Sequence, residues 1–291
     1  MNSIDIESKK FLGQPKNFVS IFNALLFDGQ QVLKPEYLKD ENSELVMNVS
    51  SKHVDIIKRY EDGTYLDLFV IESQSYVDQC MVARVMEYES VARMRYIRQN
   101  FKKHVPMHTR LLMILTVVLY VGESKWNAAR RLSELEIIHP GFEDMFNEFK
   151  LNLIELNTNR KYNTGEKATQ DFFDLLRMIY RKQVLKEDLD REFNRDALYF
   201  AYVVTKNKEL LNIYQESEKG DVKVCRALDE MFEESTNKGI QMGIRQGIEQ
   251  GIALNQFEVY QTMLDKGFSV KAIASIFSVS EESIKTLLMR T

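Results

Sequence analysis

The chain has 291 residues, of which 44% are hydrophobic, and a formal net charge of −4 at pH 7. This length and composition exclude an intrinsically disordered protein and suit one large domain or two smaller ones. Because the net charge is slightly acidic, any contact with nucleic acid requires a local basic patch.

The sequence predicts a cytoplasmic protein without a membrane span. Its two cysteines, Cys80 and Cys225, are far apart and have no zinc-ligand spacing, which favours a reducing compartment. Residues 1–14 are polar and lack the apolar core of a signal peptide. The longest apolar run, residues 111–121, is too short to cross a bilayer and indicates a buried strand.

Hydrophobic periodicity and turn residues predict an α/β pattern in the first half of the chain. In chain order, the predicted elements are a helix that ends near Gly29, a loop over 39–51, strands over 53–60 and 64–74, a helix over 77–100, and strands over 111–121 and 150–156. Asp62-Gly63 separates the first two strands and is typical of a β-hairpin turn. Most of 168–236 is predicted to be helical.

Beyond residue 236 a glycine recurs at every fourth position, and an isoleucine follows each one. The glycines are Gly239, Gly243, Gly247 and Gly251. On a helix they form one stripe, and each costs about 1 kcal/mol relative to alanine. One interpretation is a mobile low-complexity linker. The other is close helix packing between subunits, which would make the protein a homodimer.

Residues 257–291 have the rhythm of a helix-turn-helix, with Gly267 between the first two short helices and Ser278-Val279-Ser280 before the last. The last predicted helix, residues 281–290, carries acids beside Lys285 and Arg290, so its charge does not favour a DNA groove. A small oligomerisation or adaptor module is an equally good interpretation.

The predicted hairpin brings two carboxylates together. A two-residue turn at Asp62-Gly63 would place Asp55 opposite Val70. Since side chains alternate along a strand, Asp55, Glu72 and Gln74 would then share one face. The Cβ atoms of Asp55 and Glu72 would be about 7 Å apart, a gap that one divalent cation can bridge. A three-residue turn would instead separate the two carboxylates.

Two carboxylates at this distance suit Mg²⁺ or Mn²⁺, which prefer oxygen ligands and bind phosphate directly. Such an ion makes a bound water more acidic and polarises a phosphoryl oxygen, as phosphodiester hydrolysis requires. The alternative is that Asp55 and Glu72 are ordinary solvent-facing strand residues beside a turn.

Five short motifs follow one another along the chain. They are Val54-Asp55-Ile56-Ile57, Ile71-Glu72-Ser73-Gln74, Asp78 with Arg84 and Tyr88, Leu119-Tyr120-Val121-Gly122-Glu123 with Trp126, and Asp221-Val222 before Cys225. In order and spacing they resemble the Rpn family of recombination-promoting nucleases, or YhgA-like transposases, within the PD-(D/E)XK nuclease superfamily. The likeness covers roughly residues 18–255.

The resemblance implies an α/β fold with the αβββαβ core of the PD-(D/E)XK nucleases and a mostly helical C-terminal extension. It also implies metal-dependent DNA cleavage of low sequence specificity, linked to recombination or transposition. Asp55 and Glu72 would be the metal ligands. Gln74 would replace the superfamily's lysine, although it cannot supply a positive charge or act as a base. Superfamily members often carry an acid on the first helix, where the nearest candidates are Asn23 and Asp28.

The alternative to an active nuclease is a catalytically weak or inactive nuclease-like module that binds DNA or a protein. The polar side chain at position 74 leaves this alternative open. Either function divides the chain into the same parts: a PD-(D/E)XK nuclease-like domain over 1–160, a helical extension over 161–236, the glycine-striped helix over 237–256, and a small helix-turn-helix-like tail over 257–291.

The helix after the hairpin carries the candidate substrate-binding residues. Arg84 and Tyr88 lie four residues apart on one face and, by the resemblance, would hold the scissile phosphate. The alternative for Arg84 is a surface ion pair with Glu87. Trp126 is expected to be a packing anchor. Basic residues that suit contacts with a DNA backbone, or that form a merely solvated helix end, are Arg93, Arg95, Arg98, Lys102, Lys103 and Arg110.

Overall fold

The computed structural model describes residues 3–41, 56–63, 66–101, 104–217 and 220–289. The chain forms two compact units, Met1–Asp229 and Glu230–Thr291. Among the described residues, every helix is either too short or too polar to cross a membrane.

The first unit contains both helices and strands up to residue 155 and is mostly helical after it. Its helices are α1 (Ser3–Leu12), α2 (Pro15–Leu26), α3 (Met81–Asn100), α4 (Lys167–Arg181), α5 (Arg195–Thr205) and α6 (Lys208–Glu216). Its strands are β1 (Leu38–Asp40), β2 (Ile56–Glu61), β3 (Leu66–Gln74), β4 (Met113–Tyr120), β5 (Asn152–Glu155), β6 (Glu192–Phe193) and β7 (Val222–Lys223). The helix α7 (Cys225–Asp265) begins in the first unit and continues into the second, where α8 (Val270–Phe277) and α9 (Glu281–Met289) follow.

The first five strands form one mixed sheet in the order β1-β2-β3-β4-β5. β2 pairs antiparallel with β1 and β3, whereas β4 pairs parallel with β3 and β5. The helix α3 joins β3 to β4, because two parallel strands need a crossover connection. From α2 to β4 the order is helix, three strands, helix, strand, which confirms the expected α/β fold class.

β1 lies at the start of a segment that the sequence predicts to be a loop. It spans only Leu38–Asp40, too short to show the strand period of two, and its pairing with β2 defines it as a strand. An ion pair of 2.6 Å between Lys58 and Asp40 accompanies this pairing. The loop prediction is therefore wrong for residues 39–40, and residues 42–51 lie outside the described part of the chain.

The connection between β2 and β3 is longer than predicted. Glu61 pairs with Leu66, so residues 62–65 join the strands in place of the expected two-residue turn. Gly63 has the positive φ that its turn signal implies, at +90°. The Asp-Gly dipeptide marks the place of the turn, but the loop length depends on where strand pairing begins.

The longer connection shifts the hairpin register by two residues. Ile57 lies opposite Val70, so the predicted pairing of Asp55 with Val70 is wrong. A shift of two leaves the alternation of side chains unchanged, and Glu72 and Gln74 still share a face. Asp55 itself lies outside the described residues. It is joined directly to Ile56, the first described residue of β2.

Both faces of β3 are covered by helices. On one face, Phe69 packs against Phe22 of α2, with ring centroids 4.8 Å apart. On the other face, Val70 belongs to a buried cluster with Tyr88 of α3. Because side chains alternate, Glu72 points to the same side as Val70. The polar end of β3 therefore faces the helix that carries the candidate substrate-binding residues.

The helical part of the first unit shares its core with the two N-terminal helices. Phe172 of α4 contacts Phe11 of α1 and Phe200 of α5, with ring centroids 5.6 and 4.5 Å away. Ser20 Oγ of α2 donates a hydrogen bond to Thr169 Oγ1 of α4 at 2.8 Å. The long helices after residue 161 thus help to hold the sheet's covering helices in place.

The second unit has a small core of its own. Tyr260, Ile273 and Ile284 are buried together, and Ser269 caps α8 by accepting a hydrogen bond from Ala272 N at 3.2 Å. The sequence correctly predicts the short helices α8 and α9, which follow the breaks at Gly267 and Ser278, but the first predicted short helix, from residue 257, is the end of the long helix α7.

The glycine stripe lies within the continuous helix α7. A Cβ atom placed at Gly239, Gly243, Gly247 or Gly251 would meet no atom within 4 Å in the described part of the chain. The isoleucines that follow these glycines are each more than half exposed. The described residues of one chain therefore supply no close packing partner for the stripe.

Candidate active site

A carboxylate lies inside the sheet at Glu72, which is only 4% exposed. Glu72 lies opposite Val118 in the parallel pair of β3 and β4. On the α3 side, its Oε1 accepts a hydrogen bond from Arg84 Nη2 at 3.2 Å. Burial of a charge is costly unless an opposite charge and hydrogen bonds compensate, so this contact governs the electrostatics of the site.

The Arg84 guanidinium binds acceptors from three segments of the chain. Its Nη2 contacts Glu72 of β3, and its Nη1 donates to Asp78 Oδ2 in the loop before α3. Tyr88, one turn further along α3, accepts two hydrogen bonds at its hydroxyl, from Nε at 3.0 Å and from Nη2 at 2.7 Å. Arg84 therefore links the end of β3 to the first turns of α3.

The surroundings of Arg84 and Tyr88 on α3 shift the pKa values of both side chains. Burial lowers the pKa of Arg84, but the hydrogen bonds to Asp78 and Tyr88 and the charge of Glu72 outweigh burial and raise it above its ordinary value. Burial and the charge of Glu72 together raise the pKa of Tyr88. The arginine is thus firmly cationic and the tyrosine is neutral at physiological pH.

Arg84 forms ion pairs with two carboxylates. Its ion-pair partners among the described residues are Glu72 and Asp78, and the alternative prediction of an ion pair with Glu87 is wrong. The role of Asp78 was missed in the sequence. The available signal was its position just before a helix, where its Oδ1 also accepts a hydrogen bond from Cys80 N at 2.9 Å.

Gln74 is the last residue of β3 and is as deeply buried as Glu72. It lies opposite Tyr120 of β4, on the same face as Glu72. Its Nε2 has no hydrogen-bond partner among the described residues. A buried amide donor without an acceptor is costly, so its presence at the end of the strand requires an explanation beyond the fold.

The predicted phosphate-binding arginines occupy two sides of α3. By helical periodicity, Arg95 and Arg98 lie within about 40° of Arg84 around the helix, whereas Arg93 lies about half a turn away. Arg93 is 3.9 Å from the buried carboxylate of Glu89, which offsets part of its charge. Arg98 is exposed at the end of the helix. Two further predicted cations, Lys102 and Lys103, lie outside the described residues.

Neither acid candidate of the first helix lies at the Glu72 site. Asn23 is fully buried, and its amide donates to Leu33 O and accepts from Leu33 N, both at 2.9 Å, so it anchors a loop. Asp28 lines a separate polar cavity of about 500 Å³, together with Arg177 and Arg191. The described residues that meet at Glu72 come from β3, from the loop before α3 and from α3 itself.

A family model described as "Putative transposase, YhgA-like" matches residues 9–210, well over half of the chain. The chain belongs to the YhgA-like transposase family. The matched residues include the five-stranded sheet and the helices α2 to α5, and the match ends at residue 210, within α6 and before the glycine stripe. No curated protein and no solved structure matches the chain.

The segment that follows β4 and contains Trp126 has a structural role. Trp126 is buried and packs edge-on against Tyr120, with ring centroids 5.1 Å apart, which confirms the prediction of a packing anchor. Its backbone N–H donates to Glu155 Oε1 at 3.0 Å. This cluster supports the strand ends beside Gln74.

Metal binding at this site depends on which acidic, histidine and cysteine side chains lie near one another. The described residues contain no group of three or more His, Cys, Asp and Glu side chains that could bind a metal ion. Glu72 nevertheless has the ligand chemistry that a hard divalent cation prefers, although its Oε1 already accepts a hydrogen bond from Arg84. An acceptor at the site, such as a phosphate oxygen or a bound water, would also satisfy the Nε2 of Gln74. Glu72 is therefore a candidate ligand for Mg²⁺ or Mn²⁺, and Asp55, the second carboxylate that the sequence predicts, lies outside the described residues.

The unpartnered donor of Gln74 leads to a stability prediction. Gln74→Met removes that donor while keeping the side-chain shape, so the free energy of unfolding should stay unchanged or rise by about 1 kcal/mol. Asn23→Leu is the matched control, because its amide is fully hydrogen-bonded, and it should lose about 1–3 kcal/mol. Urea unfolding of both variants measures the difference. An equal loss in the two variants would show that Gln74 serves the fold.

Proposed function

We propose that the protein is a metal-dependent DNA endonuclease of low sequence specificity that acts in recombination or transposition. The observation that carries the proposal is the buried Glu72, which contacts Arg84, two residues before the unpartnered donor of Gln74 on the same face. Membership of a transposase family supports the link to DNA mobility.

Each candidate residue has a distinct role in this proposal. A Mg²⁺ or Mn²⁺ ion held by Asp55 and Glu72 would polarise the scissile phosphate and acidify a bound water. Gln74 donates a hydrogen bond to the attacking water or to a phosphate oxygen, and it cannot act as a base. Arg84, with Tyr88 behind it, neutralises the negative charge that builds up on the phosphate.

A second candidate is an inactive nuclease-like module that binds DNA or a protein. The engagement of Glu72 by Arg84 favours it, because the same carboxylate cannot serve two cations equally well. The two candidates differ in one measurable property. The nuclease cuts DNA when a divalent cation is present, and the binding module does not cut DNA.

The first functional prediction concerns the carboxylates. Glu72→Gln and Asp55→Asn should each slow the nicking of supercoiled plasmid by about 100-fold or more, because loss of one metal ligand removes several kcal/mol of transition-state stabilisation. The assay compares Mg²⁺, Mn²⁺, Ca²⁺ and EDTA. The control Glu61→Gln removes an exposed carboxylate of β2 and should cut at the unmodified rate. Unchanged nicking by Glu72→Gln would reject the proposed centre, and no nicking by any form would favour the binding module.

The second functional prediction concerns the arginines of α3. Changing Arg93, Arg95 and Arg98 together to Ser should weaken DNA binding and reduce the slope of log K against log salt by about 2–3, roughly one unit per lost phosphate contact. Most of the loss should come from Arg95 and Arg98, because they lie on the Arg84 side of the helix. Fluorescence anisotropy across a salt series measures both quantities. An unchanged slope in the triple variant would mean that these arginines are only solvated surface.

We also propose that the protein forms a homodimer through the glycine stripe of α7. The open glycines and their half-exposed isoleucines would come together if a second copy packed against the helix. Close approach of the two backbones would offset the cost of interior glycine, and a symmetric pair would present two sites to the two DNA strands.

The dimer is tested by substitutions that add a bulky side chain to the glycine stripe of α7. Gly243→Leu and Gly247→Leu should each lower the association constant measured by sedimentation velocity at micromolar concentration, because the added side chains hold the two helices apart. Gln256→Leu is the control, since it lies on the opposite side of the same helix and is exposed. A monomeric unmodified protein would remove the proposal, and a dimer that tolerates both glycine substitutions would place the interface elsewhere.

A further inference from the structure

We infer that the Arg84 guanidinium is the resident counter-ion of Glu72 and that a divalent cation must displace it from this carboxylate, a conclusion that rests on the proposed nuclease function. Arg84 is then a positioning residue with two states. In one it neutralises Glu72, and in the other it is released toward the substrate.

The need for a counter-ion follows from the burial of Glu72. Its side chain is 5% exposed, and an ionised carboxylate at such a position requires a compensating positive charge. Arg84 Nη2 supplies that charge from 3.2 Å. A divalent cation bound by Glu72 would meet the positive charge of the guanidinium on the same carboxylate group, whose Oε1 already accepts from Arg84. The two cations therefore compete for one carboxylate.

Arg84 is also held by groups that do not involve Glu72. Asp78 binds Nη1 through an ion pair, and the Tyr88 hydroxyl accepts from Nε and Nη2 at 3.0 and 2.7 Å. The contact with Glu72 is the longest of these hydrogen bonds, at 3.2 Å. Arg84 can consequently give up Glu72 and keep its other partners, so displacement by a metal does not leave the guanidinium without acceptors.

The balance of charges supports the same two-state behaviour. Without a metal, Arg84 lies between two carboxylates, Glu72 and Asp78. With a divalent cation on Glu72, Asp78 still neutralises Arg84. The N–H that pointed at Glu72 is then available beside the cation, where a phosphate oxygen of the substrate must lie. The displacement thus couples metal binding to the preparation of a phosphate donor.

The test is a Mn²⁺ titration of the full chain, followed by the electron paramagnetic resonance signal of free Mn²⁺. Arg84→Gln should bind Mn²⁺ about tenfold more tightly than the unmodified protein, because the competing cation is gone. Asp78→Asn should bind more weakly, since Arg84 then has only Glu72 as a carboxylate partner. In the double variant the Asp78 change should have no further effect, and the affinity should equal that of Arg84→Gln.

The matched control is Arg177→Gln. Arg177 has the same side-chain exposure as Arg84, 17%, and it also pairs with a buried carboxylate, that of Asp174. Both variants should unfold at lower temperature without metal. Mn²⁺ should restore the unfolding temperature of Arg84→Gln by more than it raises that of the unmodified protein, and it should not do so for Arg177→Gln. If Arg84→Gln does not fold, Arg84→Lys replaces it and should bind Mn²⁺ more tightly than the unmodified protein, because lysine cannot reach all three acceptors at once.

The outcomes separate this inference from the proposed function. If the unmodified protein binds Mn²⁺ and cuts DNA, and folded Arg84→Gln binds Mn²⁺ equally or more weakly, the counter-ion role is overturned and the nuclease stands. If the double variant binds as weakly as Asp78→Asn, Asp78 is itself a metal ligand and the inference also fails. If no form binds Mn²⁺, the nuclease proposal and the inference fall together.

Discussion

The structure of the site depends on one constraint, the presence of a carboxylate side chain in the interior of a sheet that is covered on both faces. Glu72 ends the apolar run of β3 and lies under α3, where the guanidinium of Arg84 offsets the cost of burying its carboxylate. A buried ion pair of this kind is weak evidence for stability, because apolar residues of similar volume often serve a core equally well. Glu72 and Arg84 are brought into contact by the register of β3, the direction of its side chains and the position of α3.

A second buried network in the same unit shows how such charges look when they serve the fold. Asp171 is 1% exposed and accepts hydrogen bonds from Lys167 at 2.6 Å, Arg191 at 2.7 Å and Asn194 N at 2.7 Å. The contacts from Arg191 and Asn194 tie α4 to the segment that leads into α5, whereas Lys167 lies one turn before Asp171 within α4. At the end of β3, by contrast, a buried amide donor of Gln74 has no acceptor in the described chain. A satisfied network of this kind stabilises the structure, whereas the Gln74 donor, like the buried Nε1 of Trp126, obtains no hydrogen bond from the described residues.

The sequence predicted the elements whose pattern is local and missed those that depend on contacts. The helix α3 has apolar residues at helical spacing and the strand β4 is a continuous apolar run, so the positions of both followed from the local hydrophobic pattern. β1 has three residues and exists because β2 pairs with it, which no local pattern reveals. The dipeptide Asp62-Gly63 located the hairpin but not its register, since loop length is fixed by strand pairing. Arg84 and Tyr88 were predicted together on one helix face, and they do interact, but the choice of carboxylate partners required the fold.

The same contacts account for the glutamine at position 74. In the superfamily pattern that the sequence resembles, a lysine stands here, two residues after the acidic ligand. A lysine buried as deeply as Gln74 would need a carboxylate of its own, and Glu72 already faces the guanidinium of Arg84. A neutral amide avoids a second cation beside the pair and still offers a donor to an oxygen atom. On the proposed function, the positive charge that the superfamily carries on the strand is carried here by α3, where it is anchored by Asp78 and Tyr88 and can be released from the carboxylate. Activation of water would then depend on the metal alone, and the charge that meets the phosphate would come from the helix.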